Sequence, residues 1–178
     1  MQKQISTNEL LYKNSLIAKT MNDIEFLAQN INNLENKEIT LFELLINTQM
    51  IPLITKIVSK GKIKKMIYDS CIIPDEPEDI YDIFLPHSNG IDLTVKNCNI
   101  TPTQASDILD YLDVLSNIEI DFSNNQINGP DLDDFLNKVK HLINSGTSLF
   151  SSLNLKGNNI PQSKIPEFES SPMTVIFD

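Results

Sequence analysis

Short apolar alternations recur along the chain, each followed three residues later by Asn or Cys and then by isoleucine. The fullest copy is FSSLNLKGNNI, where Phe150, Leu153 and Leu155 precede Asn158 and Ile160. The same spacing places Ile120, Phe122, Asn125 and Ile127 in one phrase, and Leu93, Val95, Cys98 and Ile100 in another. Ile63, Met66, Tyr68, Cys71 and Ile73 supply a fourth. A period of two predicts a half-buried strand in each. The anchors Met66, Leu93 and Ile120 are spaced by 27 residues, Leu153 follows 33 later, and Val175 with Phe177 offers a final strand. Upstream, Ile24 and Phe26 alternate ahead of Gln29 and Ile31, a weaker strand over 23–27. A unit that recurs at near-constant period defines a repeat architecture.

Between these strands the apolar period changes from two to 3.6. Each clear phrase is followed by proline (Pro74, Pro102, Pro130, Pro161), well placed to open a helix, where no backbone donor is needed. After Pro102, Ile108, Leu109, Leu112 and Leu115 fall at helical spacing, and Thr101 with Gln104 forms a capping box. After Pro130, Leu132, Phe135, Leu136, Val139, Leu142 and Ile143 share a face, with Asp131, Asp133 and Asp134 at its positive end. Residues 77–85 read as a shorter helix. Thr40 to Lys60 reads as a long helical run disturbed at Pro52, and Ser6 with Glu9 opens a first helix over about 7–19.

Strand, turn, helix and strand in units of 20–30 residues resembles the leucine-rich repeat family, and the longer units resemble its ribonuclease-inhibitor-like class. The resemblance covers residues 63–178; residues 1–62 are either an N-terminal helical cap or a degenerate first repeat. It implies an α/β solenoid with a parallel sheet on the concave face and helices on the convex face. It also implies that Cys71, Cys98, Asn125 and Asn158 bond backbone groups in the turns leaving the strands. The stretched unit at 128–152 and the lack of cysteine-rich caps depart from the family pattern.

The 178 residues, 40% of them hydrophobic, suit one domain with its own core. The apolar stretches are too short to span a bilayer, and MQKQISTNELLYKNS lacks the apolar region of a secretory signal. Two cysteines, Cys71 and Cys98, fit a reducing compartment. The net charge of −10 comes from 24 acids against 14 lysines, with no arginine. That balance argues against nucleic acid and anionic membranes, and leaves open a basic protein surface as a partner or simple solubility. The absence of arginine beside abundant Asn, Ile and Lys reflects an AT-rich coding bias.

No catalytic constellation emerges, and no cofactor is expected. Cys71 and Cys98 occupy the turn position, where burial rather than reactivity is expected. His87 lies in a turn and His141 beside an apolar helix face, without the spacing of a zinc site. Asp75, Glu76, Glu78, Asp79 and Asp82 lack the ligand alternation and central glycine of a calcium loop. Gly129, Gly146 and Gly157 are isolated, so no phosphate-cradling motif is present.

The expected working surface is therefore the solvent side of the sheet. It comprises Lys65, Ile67 and Asp69; Asp92, Thr94 and Lys96; Glu119, Asp121 and Ser123; and Ser152, Asn154 and Lys156, with Thr174 and Ile176 beyond. Asp23 and Glu25 join if 23–27 is a strand. Asp69, Asp92, Glu119 and Asp121 would form an acidic patch steering a basic protein partner. The expectation is a non-enzymatic interaction module. Its composition is similar to that of leucine-rich repeat effectors that intracellular bacteria deliver into host cells, which implies a bacterial cytoplasmic origin, secretion without a signal peptide into the host cytosol, and a host protein or a fellow effector as target. The alternative is a targeting or adaptor domain of a longer enzyme. The final strand VIFD would expose an edge, so the chain is cut, covered by a partner, or self-associated.

Overall fold

The computed structural model describes residues 14–112, 118–144, 150–169, 171 and 173–178. Seven strands pair in chain order into one parallel sheet: β1 (Ser15–Ala18), β2 (Glu38–Phe42), β3 (Lys65–Asp69), β4 (Asp92–Lys96), β5 (Ile118–Asp121), β6 (Phe150–Asn154) and β7 (Thr174–Ile176). Parallel neighbours need a crossover. Helices α1 (Met21–Gln29), α2 (Ile51–Lys60), α3 (Pro77–Phe84), α4 (Pro102–Tyr111) and α5 (Leu132–Asn144) provide the first five, and a 3₁₀ segment, Gln162–Phe168, lies in the sixth. The fold is α/β, and each helix packs against the next.

The 27-residue spacing becomes register. Ile39 pairs with Met66, Met66 with Leu93, Leu93 with Ile120, Ile120 with Leu153 and Leu153 with Val175. Alternate strand residues, Ile39 and Leu41, Met66 and Tyr68, Leu93 and Val95, are buried in one cluster with Ile54, Ile57, Ile80, Phe84, Ile108, Phe135 and Val139 from the helices. The opposite side of the strands carries no helix among the described residues. Local chemistry starts several helices: Thr20 with Asp23 caps α1, and Thr101 with Gln104 caps α4, each as a reciprocal capping box.

The turns leaving the strands are stitched to each other. Asn125 Oδ1 accepts the Cys98 and Ile100 amides at 2.9 and 3.3 Å, while its Nδ2 donates to the Val95 and Phe122 carbonyls at 2.6 and 3.0 Å. Asn158 repeats the arrangement one turn on, accepting from the Ile127 amide at 3.1 Å and donating to Phe122 and Leu155 at 2.9 Å. At the same position the thiols of Cys71 and Cys98 donate to the Leu41 and Lys96 carbonyls at 3.3 and 3.1 Å. One residue before each of these side chains the backbone turns left-handed, at Ser70, Asn97, Asn124 and Gly157, and also at Glu43.

The N-terminal part departs from the sequence expectation. Ser15–Ala18 is a strand where a helix over 7–19 was expected, and residues 1–13 lie outside the described ones. Residues 23–27 fall inside α1, so they are not a strand; Asp23 binds the helix start, and neither it nor Glu25 lies on the sheet. The expected helical run from Thr40 divides into β2 and α2, and Pro52 sits in the first turn of α2 instead of interrupting it. Pro102 opens α4 as expected, the shorter helix expected over 77–85 is α3, and α5 begins two residues after Pro130. Leu115 lies outside the described residues.

Candidate functional site

The helix-free face of the sheet is built in lateral rows, because parallel register brings equivalent residues side by side at about 4.8 Å. One row runs Ser15, Glu38, Lys65 and Asp92, continuing through Glu119, Ser152 and Thr174. The central row is Ile17, Thr40, Ile67, Thr94, Asp121, Asn154 and Ile176. A third brings Phe42 beside Asp69 and Asp69 beside Lys96. Lys65, Ile67, Asp69, Asp92, Lys96, Glu119, Asp121, Ser152, Asn154 and Lys156 therefore share one side and retain solvent exposure.

Two of the expected contact residues do not. Thr94 is 3% and Ser123 8% exposed, so neither offers surface to a partner. The Thr94 hydroxyl has no hydrogen-bond partner among the described residues.

The carboxylates are held in place. Burial alone pushes Asp69 upward, but hydrogen bonds from Asn97, Lys96 and Ser70 outweigh it and keep the carboxyl below its ordinary range. Lys96 Nζ lies 3.3 Å and Asn97 Nδ2 2.8 Å from that carboxylate. Asp92 Oδ1 accepts the Glu119 amide across the strands at 3.0 Å, and Asp121 Oδ1 accepts the Ser123 amide at 2.9 Å. Glu119 is exposed. The expected acidic patch is thus partly turned to internal bonding: Asp69 is ion-paired, while Asp92 and Asp121 each commit one oxygen to the backbone.

Sequence reasoning missed the N-terminal third of this face. Ile17, 55% exposed, and the half-buried Thr40 and Phe42, beside the expected Ile67, make it more apolar than the β4–β6 part. Lys19 Nζ sits 4.5 Å from the centre of the Phe42 ring, a cation–π contact. The signal existed in the alternation of Ile39 and Leu41, followed by Leu44 and Ile46 at the template spacing. Leu44 stands where later repeats have Cys or Asn, so the phrase reads equally well as a helix.

The other chemical candidates are structural in their contacts. His87 is fully buried: its Nδ1 lies 3.2 Å from the Phe84 carbonyl, which only accepts, so Nδ1 carries the proton. Nε2 is left to accept from the Tyr68 hydroxyl at 3.5 Å, and burial pushes the imidazole down to about 4. His141 is exposed on α5. The Cys98 thiol is pushed up by its contact with the Cys71 thiol and by burial. Among the described residues no group of three or more His, Cys, Asp or Glu side chains is placed to hold a metal ion, and no helix is long and apolar enough to cross a membrane. A polar cleft of about 420 Å³ lies between α4 and α5, lined by Thr103, Ser106, Asp131, Asp134 and Lys138. Lys138 spans it, donating to the Ser106 carbonyl at 3.0 Å and pairing with Asp110.

No protein-family model matches the chain, and no curated protein is significantly similar to it in sequence.

Proposed function

We propose that the chain is a leucine-rich repeat solenoid whose helix-free sheet face binds a protein partner without performing chemistry on it. The repeat reading is supported by the register of Ile39, Met66, Leu93, Ile120 and Leu153, and by the equivalent bonding of Asn125 and Asn158 in successive turns. The observation that carries the binding reading is the sheet face, seven strands wide, that no helix covers among the described residues, on which Ile17, Phe42 and Ile67 adjoin a field of fixed carboxylates. Fixed side chains lose little rotamer entropy on association, and an acidic field favours a basic partner through the rate of encounter.

Glu119 and Asp121 are the acids through which this reading is best tested, because reversing them leaves the Asp69–Lys96 pair intact. A Glu119→Lys/Asp121→Lys variant is expected to lose the proteins that the wild-type chain captures at low salt. The measurement is affinity capture with mass-spectrometric identification, repeated at about 0.5 M salt to screen surface charge. Equal recovery of the same proteins by both chains would overturn the assignment of this face.

A further inference from the structure

The turns leaving β2 and β3 expose two large aliphatic side chains, Leu45 at 60% and Ile72 at 62%. They are lateral neighbours in a parallel bridge, fixed by Ile46 N–H donating to the Ile72 carbonyl at 3.1 Å and Ile72 N–H donating to Leu44 at 2.9 Å. The equivalent positions in the following turns hold Asn99, Gln126 and Asn159, all exposed; Asn99 and Asn159 take left-handed backbone, and Gln126 N–H donates instead to the Ile100 carbonyl at 3.0 Å, so the bridge is a feature of the Leu45 and Ile72 turns. Two adjacent aliphatic side chains, each more than half exposed, thus form an apolar patch on this turn edge that the described residues leave open to a partner.

Charge says what. Between Lys65 and Lys138 the sequence holds 15 acids and a single lysine, Lys96, which is paired with Asp69 on the sheet face. Glu43 precedes Leu45, and the exposed Asp75, Glu76 and Glu78 follow Ile72 where α3 begins. A second copy of the chain docking here by two-fold symmetry would set these acids against themselves. An anionic bilayer would be repelled in the same way.

The geometry points to a second docking surface, the turn edge centred on Leu45 and Ile72, for a basic amphipathic segment of another protein. Aliphatic side chains of that segment would cover the pair while its Lys or Arg residues meet Glu43, Asp75 and Glu76. This site is separate from the sheet face and stands or falls independently of it.

The test uses a fluorescein-labelled helical peptide of about 18 residues, some five turns, built from Leu and Lys, and a control with every Leu replaced by Gln. Binding is read by fluorescence anisotropy at low salt. Leu45→Asn/Ile72→Asn, which installs the residue type found at Asn99 and Asn159, is expected to weaken the Leu/Lys peptide about tenfold or more. The same variant should leave the weak Lys/Gln binding unchanged, and Glu119→Lys/Asp121→Lys should preserve the ratio between wild type and the Asn variant. Circular dichroism verifies that the Asn variant folds. The proposal is overturned by no binding of the Leu/Lys peptide, by equal binding to wild type and the Asn variant, or by equal losses for both peptides. It is also overturned if the wild-type chain forms a dimer that the Asn variant abolishes, since the occupant would then be a second copy.

Discussion

The turn ladder makes a sharp claim about Asn125. The side chain is 6% exposed, and its amide serves two adjacent turns at once. Asn125→Ala removes the acceptor for the Cys98 and Ile100 N–H groups and the donor to the Val95 carbonyl, leaving three backbone groups to find new partners. A buried orphan costs about 1–3 kcal/mol, so the ceiling is about 9 kcal/mol. Water entering the vacated space repairs part of it, and we expect a net loss of about 4 kcal/mol. That is a large fraction of the ~5–15 kcal/mol that holds a typical domain together.

Two companion variants separate the contributions. Asn125→Cys, the solution found at Cys71 and Cys98, keeps a donor and loses the acceptor, and should cost about 2 kcal/mol. Asn125→Asp keeps the acceptor but turns a carboxylate oxygen toward the Val95 carbonyl, which Nδ2 meets at 2.6 Å, so it should be worse than Ala at neutral pH. The chain has no tryptophan, so urea unfolding is best followed by far-ultraviolet circular dichroism, with stability taken from the midpoint at constant m. A cost below about 1 kcal/mol for Ala, or an Asp variant as stable as wild type, would refute the assignment of the ladder to this side chain.

Two further outcomes follow from single sites. His87 is held near 4 in the folded state against an ordinary 6.5, so the unfolded chain binds the extra proton first, and stability falls as pH drops from 6.5 to 4, by about 3 kcal/mol in all. Urea midpoints across that range should show a steeper decline for wild type than for His87→Gln; parallel declines would refute a neutral buried imidazole. Gly157 has φ of +72°, and a Cβ there would lie 2.2 Å from Asn124 Oδ1 and 3.2 Å from the Asn124 Cα, so Gly157→Ala should cost about 1–2 kcal/mol. Adding Asn124→Ala should recover the steric part in the same unfolding assay, and strictly additive effects would show that the two turns do not press on each other.

From Ile63 onward the strands were legible because two signals coincide: an alternation of period two, and a polar or sulfur side chain placed to serve the next turn. Where the second signal fails, the first is ambiguous. Glu38–Phe42 is a strand in register with β3, yet Leu44 replaces the Asn or Cys, and the run from Thr40 to Lys60 passes for a helix. Leu44 is buried at 6%, so that turn fills the position by packing and forgoes the side-chain bonds. The outward face was legible for β3–β6, since alternation alone assigns sides. Its exposure was not. Thr94 and Ser123 are buried, and Asp92 turns to the amide of Glu119, 27 residues away. Such lateral contacts depend on which repeats stack and in what register, which no window of sequence contains.

A stacked repeat also supplies its own control for telling fold from function. At each position the equivalent residues in successive turns show what the backbone requires. The left-handed position accepts Glu43, Ser70, Asn97, Asn124 and Gly157, so its constraint is conformational and tolerates several residue types. The inward anchors Ile39, Met66, Leu93, Ile120 and Leu153 vary only among aliphatic and thioether side chains, as a packed core demands. Leu45 and Ile72 fit neither class. Their side chains face solvent from a parallel bridge, and two consecutive turns expose aliphatic carbon next to carboxylates. That exposed carbon together with the flanking carboxylates is therefore stronger evidence of a partner than exposure alone.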